Sequence, residues 1–515
     1  MKQSAPNLLN FKDPSIRTLH YTWIAFFLTF VVWFNVAPVL TEMLDQFEWL
    51  TKANVKSIIL CNVALTIPAR VIVGNLIDRY GPRVIFAGLM VLTLIPGLLF
   101  AFGNTLTVLT ISRLFLGTIG AGFVIGIKMT ANWFTPKYIG RAEGFYAGWG
   151  NFGSAAAAAL VPFFAVSIIC GDDGWRWSLA ITSIMCGAYG VFYFFAVKDH
   201  PEGITDRNRK GKLQPMPITS IKDLAQYWFW QFPLFGAIGL VVYNLHHQQV
   251  DGHAMLSWTT VYIMWGALFL VYLMDVIKVT KHNLPKIKAG IPEKDKYSFA
   301  SIGALNSTYF ANFGAELAIV SMLPMFFYQV FSSLFNTSGE RIVTLEMAGL
   351  IAGSFAVINL VARPLGGLIS DKMGNRKKTM LLYMAGIVVG FFLMAIIAQY
   401  GPVDNATGET TLIPLYNTVT WLVISIVITM FASFFVQGAE GATFAMIPTI
   451  KRDMTGRIAG MAGAYGNVGA VFYLFLYTMT DEKTFLYILS AGALISLIYI
   501  SFALKEPKGA FEDHL

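Results

Sequence analysis

Arg70-Val-Ile-Val-Gly74-Asn-Leu-Ile-Asp78-Arg79-Tyr-Gly81-Pro-Arg83 and Arg363-Pro-Leu-Gly366-Gly367-Leu-Ile-Ser-Asp371-Lys372-Met-Gly374-Asn-Arg376 are two copies of one pattern, R-x3-G-x3-D-[RK]-x-G-x-R, set 293 residues apart. Each opens inside an apolar run and closes in a short charged turn. An arginine near the middle of a membrane span costs about 2.5–3.5 kcal/mol on insertion scales, so it is rarely idle. Two such arginines in repeat-related frames imply one anion held between two halves of a transporter.

The rest of the chain fits that reading. It has 515 residues, of which 56% are hydrophobic and only 13% charged. A soluble domain does not have that balance. A span needs roughly 20 apolar residues, and the sequence predicts fourteen helical spans: 20–41, 55–77, 84–103, 106–132, 142–168, 177–196, 226–245, 257–277, 300–331, 343–369, 379–398, 417–447, 458–479 and 484–503. With the N-terminus inside, the inner segments carry 28 Lys and Arg and the outer loops 5. That bias places both termini in the cytoplasm and makes the protein a multi-pass protein of the cytoplasmic (inner) membrane, with the lipid bilayer as its solvent. The net charge of +8 comes from those inner loops and is no nucleic-acid signal. The polar N-terminus shows no signal-peptide pattern. Cys61, Cys170 and Cys186 sit in or beside apolar runs at no metal or disulfide spacing, and are expected to be buried inert thiols.

A second repeat follows the first. Gly140-Arg141-Ala-Glu-Gly144-Phe-Tyr-Ala-Gly148-Trp149-Gly150-Asn151-Phe-Gly153 pairs with Gly456-Arg457-Ile-Ala-Gly460-Met-Ala-Gly-Ala464-Tyr465-Gly466-Asn467-Val-Gly469 at an offset of 316. The expected fold is therefore all-α, with twelve core helices in two parallel six-helix repeats. Residues 1–205 form the first bundle and 299–515 the second. Residues 206–298 are an insertion with two extra helices, whose turn, His246 to Ser257, faces outward. His246, His247, Asp251 and His253 lie in that turn without ligand spacing, so no metal site is expected. Nothing resembles a phosphate-binding loop, a dinucleotide fingerprint or a catalytic triad, so no cofactor and no enzyme activity are expected.

Glycine at three- and four-residue spacing strips one helix face and lets backbones approach. A lone asparagine in such a face offers amide donors to an anion, which makes Asn151 and Asn467 candidates. Glu316 and Glu440 are the two acids well within spans. A carboxylate there can carry a proton or can pair with a buried cation, for which Arg113 and Lys128 are the candidates. Asp78, Arg79, Arg83, Asp371 and Arg376 form charged turns that can lock helix ends in one state and release them in another.

The first charged turn resembles the G-x-L-x-D-R-x-G-R-[RK] loop of the major facilitator superfamily, and Arg113-x3-Gly117-x4-Gly122 resembles its fourth-helix motif. The two glycine–asparagine stretches resemble the paired signatures of the nitrate/nitrite porter family. That resemblance implies that Arg70 and Arg363 clamp nitrate or nitrite. Phe123 and Phe313 then form the walls of the site, and Tyr309 assists. A planar guanidinium suits a flat monovalent oxyanion through paired hydrogen bonds. Two readings of the energetics stay open. One is proton-coupled nitrate symport, with protons as partners at Glu316 or Glu440. The other is nitrate/nitrite antiport, or nitrite uptake or export, on the same fold.

Overall fold

The computed structural model describes residues 7–134, 136–169, 171–201, 215–250, 252–373, 375–404, 410–451 and 454–505. Thirteen helices among them are long and apolar enough to cross a membrane. The fourteenth expected span, 142–168, is also helical, but in pieces: α5 (Pro136–Asn151), a break at Phe152, α6 (Gly153–Phe163) and a π-helical turn, Phe164–Ile169. Its first turns carry the buried Glu143.

The helices start where their caps dictate. Asp13 accepts from the Ser15 amide at the head of α1 (Pro14–Phe34). Thr51 and Asn54 form a reciprocal capping box at the head of α2 (Lys52–Ala64), which satisfies two otherwise orphaned donors. The first motif turn depends on Gly81, whose φ of +86° ends α3 (Thr66–Tyr80) and lets Pro82 open the next helix. That conformation favours glycine because it has no Cβ.

The core spans are interrupted where the two halves meet. The second span breaks between α2 and α3. The fourth passes through a 3-10 turn, Gly117–Ala121, before α4 (Gly122–Trp133). The eighth breaks at Ile358, between α10 (Leu345–Val357) and α11 (Asn359–Met373). Pro364 lies in the first turns of α11, where it removes a backbone donor and crowds the preceding turn. Such breaks free carbonyls and amides at membrane depth, which is tolerated only where protein or a polar site takes them up.

The two halves meet on both sides of the arginines. Towards the motif-loop end, α5 packs on α11, with Gly144 and Gly148 against Pro364. A Cβ at Gly148 would stand 3.0 Å from the Asn359 carbonyl. Towards the other end, α2 and α3 pack on α13 (Thr455–Tyr477). There the Lys56 ammonium donates to the Tyr477 carbonyl at 3.3 Å and lies 4.3 Å from its ring centre.

The two inserted helices are α7 (Ile221–His246) and α8 (Trp258–Ala289). The apolar run of α8 was expected to end at residue 277. The helix instead continues through Lys278, Lys281, Lys286 and Lys288 to Gly290 at φ +93°. Lysine propagates a helix well, and cations near its C-terminus complement the dipole. The insertion is mounted on the C-terminal half. Asp223 accepts from the Phe299 amide at 2.9 Å, and Tyr297 donates to the Pro217 carbonyl at 2.6 Å. Tyr465 donates to the Trp230 carbonyl. A polar contact also crosses to the N-terminal half: Asn54 donates to Gln248 at 3.0 Å. Two short β-hairpins, Gln249–Val250 with His253–Ala254 and Tyr400–Asp404 with Thr410–Pro414, were not anticipated. Both lie in connections between spans.

Candidate functional site: two arginines, four rings and two carboxylates

Arg70 on α3 is fully buried. Its Nε donates to the Gly120 carbonyl at 3.1 Å, which the 3-10 turn of the fourth span has released. Its Nη1 donates to the Gly463 carbonyl on α13, across the interface. Its Nη2 has no hydrogen-bond partner among the described residues.

Arg363 on α11 is 2% exposed. Its Nη2 ion-pairs with Glu440 on α12 (Val419–Ile450) and lies 3.6 Å from a carboxylate oxygen of Glu316 on α9 (Phe299–Val330). Asn359, at the broken end of the eighth span, donates to Glu316 at 2.8 Å. With its amide oriented to suit both groups, Asn151 accepts from Arg363 Nη2 at 2.9 Å. The Nε of Arg363 is unpartnered among the described residues. Each arginine thus reaches a group of the opposite half: Arg70 at Gly463 and Arg363 at Asn151.

Aromatic rings fill the space between the guanidiniums. Phe313 lies 5.2 Å from the Arg70 guanidinium carbon and 5.9 Å from that of Arg363. Phe123 lies 5.3 Å from Arg70. Each such contact stabilises by about 0.5–2 kcal/mol, more when desolvated. Tyr309 stacks on Phe313 with centroids 4.9 Å apart and planes 7° from parallel. A Cβ at Gly466 would overlap both of these rings. That is the physical reason for a glycine in this signature. The buried hydroxyl of Tyr309 and the Asn312 amide nitrogen are also unpartnered among the described residues.

The structure therefore brings Arg70, Arg363, Phe123, Phe313, Tyr309, Asn151, Glu316 and Glu440 to one buried centre. Asn467 lies on the Arg70 side and donates to the same Gly463 carbonyl at 3.4 Å. The charged turns lie outside this centre. Arg79 packs over Tyr80 at 5.2 Å, and Arg83 over Phe194 at 4.8 Å while its amide donates to Asp199 at 2.8 Å. Arg376 donates to the Ala445 carbonyl at 2.6 Å. The side chains of Asp78 and Asp371, together with Asp251, lie outside the described residues, as does Cys170. Cys61 and Cys186 are buried free thiols.

Sequence reasoning missed three features. The first is the partner of the glutamates. Arg113, one of the two cations expected to pair with them, is committed to the first span instead. It donates to the Trp33 carbonyl and, at 3.5 Å, to Asn35. Arg363 itself faces both glutamates. The second is Phe444, whose ring meets Phe123 edge-on at 4.9 Å and Tyr309 at 5.1 Å, joining rings of both halves. It follows Glu440 by four residues, and that helical spacing was a usable signal. The third is Asn359, which had no motif to mark it.

Two six-helix halves around a cationic, aromatic centre are the arrangement expected of a transporter built from two repeats. The Major Facilitator Superfamily profile matches residues 22–292. The nitrate/nitrite transporter NrtP of Nostoc punctiforme is 38% identical over 509 residues, covering 98% of this chain and 95% of that protein. NrtP of a Picosynechococcus strain is also 38% identical, and covers 96% of this chain and 94% of its own. Among solved structures, the proton:xylose symporter XylE shares the fold at a TM-score of 0.61 and 13% identity, covering 96% of this chain and 97% of its own. The chain belongs to the nitrate/nitrite porter family of the major facilitator superfamily, whose members named above are transporters and not enzymes.

Proposed function

We propose that this protein carries nitrate, and nitrite, inward across the cytoplasmic membrane by alternating access coupled to protons, with both termini in the cytoplasm. The substrate class rests on the relatives' transport of these ions and on the unclaimed donors at the centre: Arg70 Nη2, Arg363 Nε and the Tyr309 hydroxyl. A flat anion between the two guanidiniums, walled by Phe123 and Phe313, takes up these donors. Asn151 and Asn467 hold the same centre on the gating helices.

One observation carries the coupling. The arginine that is to bind the anion is already occupied by Glu316 and Glu440. Two arginines and two ionised carboxylates sum to zero. Adding nitrate leaves one uncompensated negative charge in a closed, low-dielectric centre, which is costly. A proton on a carboxylate removes that charge and releases Arg363 toward the anion. Two protons, one per glutamate, make the loaded carrier positive. The inside-negative potential then drives the cycle by about 2.3 kcal/mol per charge per 100 mV.

The test is reconstitution of the full chain into liposomes. An imposed inward proton gradient should concentrate labelled nitrate, and the lumen should acidify as it does. Uptake that ignores the proton gradient and instead requires nitrite in the lumen overturns symport and leaves nitrate/nitrite exchange.

A further inference from the structure

The helix that supplies Glu440 carries more polar groups than its ion pair requires. On α12, Ser425, Thr429, Ser433, Gln437 and Glu440 recur at spacings of four, four, four and three. They therefore share one helix face. Ser425 is 1% exposed and the other four are fully buried. The face runs about 22 Å from Ser425 to Glu440 at 1.5 Å per residue. It begins near the head of α12, at the end remote from the motif loops, and ends at the Arg363 centre. Buried polar side chains at membrane depth are costly and call for partners.

The partners are incomplete. Ser433 and Gln437 both donate to one carbonyl, that of Phe355 on α10, at 2.5 and 3.0 Å. The other amide atom of Gln437, its Oε1, has no partner among the described residues. Neither has the Thr429 hydroxyl, nor that of Ser354 on the facing helix. A threonine in a membrane helix ordinarily returns its hydroxyl to a carbonyl one turn back. Thr443, lower on the same helix, does so to Ala439 at 2.8 Å, whereas Thr429 does not. Unclaimed polar atoms in a buried row are where proteins hold ordered water.

We infer that the Ser425–Thr429–Ser433–Gln437 face of α12, closed by Ser354 and the Phe355 carbonyl of α10, is a water-filled proton entry path that delivers protons from the outer side to Glu440. The inference rests on the symport reading above and adds the route. The path is separate from the arginine–aromatic centre that takes the anion, so proton and nitrate reach the site by different ways. Among the described residues, Arg363 on α11 pairs with Glu440, Glu316 on α9 lies beside the same guanidinium, and Tyr383 on the neighbouring helix Arg376–Ile397 lies against Gly438, two residues before Glu440. Among the described residues, Ser433 and Gln437 bond to the Phe355 carbonyl and Ser425 to that of Leu422, whereas Glu440 pairs with Arg363, so the upper part of the path can be altered without touching the clamp.

The experiment compares the full chain with Thr429→Val/Ser433→Ala and Thr429→Ser variants in liposomes, by two assays. Counterflow of labelled against unlabelled nitrate needs the clamp but no net proton movement. Concentration of nitrate on an imposed pH gradient needs both. Drying the path should lower gradient-driven uptake about tenfold while counterflow stays within about twofold. Thr429→Ser, which keeps the hydroxyl, should behave as the unaltered chain. Wild-type gradient-driven uptake in the double variant overturns the path and leaves symport standing. Parallel loss of counterflow and gradient-driven uptake, with Thr429→Ser equally affected, also overturns it and shows a packing role. Absence of gradient-driven uptake in the unaltered chain removes symport and the path together.

Discussion

Arg70 and Arg363 stand in equivalent frames of the repeat, but their surroundings are not equivalent. Arg70 is held by two backbone carbonyls and faces no carboxylate among the described residues. Arg363 is held by Glu440, Glu316 and Asn151. The difference is traceable to the fourth core span of each half. In the second half that span, 417–447, brings Glu440 to Arg363. In the first half it offers Arg70 the backbone carbonyl of Gly120. A symmetric scaffold thus holds one uncompensated positive charge, suited to attract an anion, and one compensated charge, suited to respond to protonation. In the proposed mechanism, repetition supplies the geometry of a clamp, and departure from repetition supplies its coupling.

The largest effect is expected at the uncompensated arginine. Arg70→Lys keeps the charge but loses the planar fork, and should lower labelled-nitrate uptake about 100-fold in protein that still inserts. Near-normal uptake would remove Arg70 from the clamp. Arg363→Lys should fail similarly in uptake. If its loss is much smaller, Glu440 and Glu316 hold the second cation well enough without bidentate geometry.

Next come the carboxylates. Glu440→Gln should abolish nitrate concentration on a pH gradient while nitrate counterflow survives, because the amide mimics the protonated carrier. Glu316→Gln should weaken the same readout less, since Glu316 lies farther from Arg363 and is already engaged by Asn359. Removing both should also destabilise the folded protein by about 3–5 kcal/mol, seen as a lowered unfolding temperature, because Arg363 is then buried unpaired. Two well-folded Gln variants that still concentrate nitrate on the gradient would end the asymmetry argument.

Glycine substitutions sharpen the comparison at intermediate size. Gly466→Ala forces a methyl into Phe313 and Tyr309 and should weaken nitrate binding about tenfold, as one misplaced wall in a close-packed site does. Gly460→Ala lies in the same signature with nothing within 4 Å of its added carbon, and should bind normally. Equal behaviour of the two would show that the glycines serve backbone motion and not ring clearance.

The smallest effect is expected at the insertion. Gln248→Ala removes its polar contact to Asn54, and should cost about 1 kcal/mol of stability with unchanged nitrate affinity. A clear affinity change would tie the inserted pair to the site and make it more than an attachment of the second half.

The sequence alone determined the membrane class, the two six-helix repeats, the insertion between them and the family, because apolar length, loop charge and a duplicated motif are local and survive in one dimension. It also marked the residues that the motif frames contain: the two arginines, the two signature asparagines, Phe123 and Phe313. It did not determine who pairs with whom. Glu440 meets Arg363 and not Arg113 because the break at Ile358 and the packing of α11 on α12 bring Arg363 to the face that ends at Glu440, a relation between helices 77 residues apart in the chain. Phe444 joins the site for the same reason. It becomes a wall only when rings of both halves close around it, and side-chain pairing across an interface is a property of the tertiary structure.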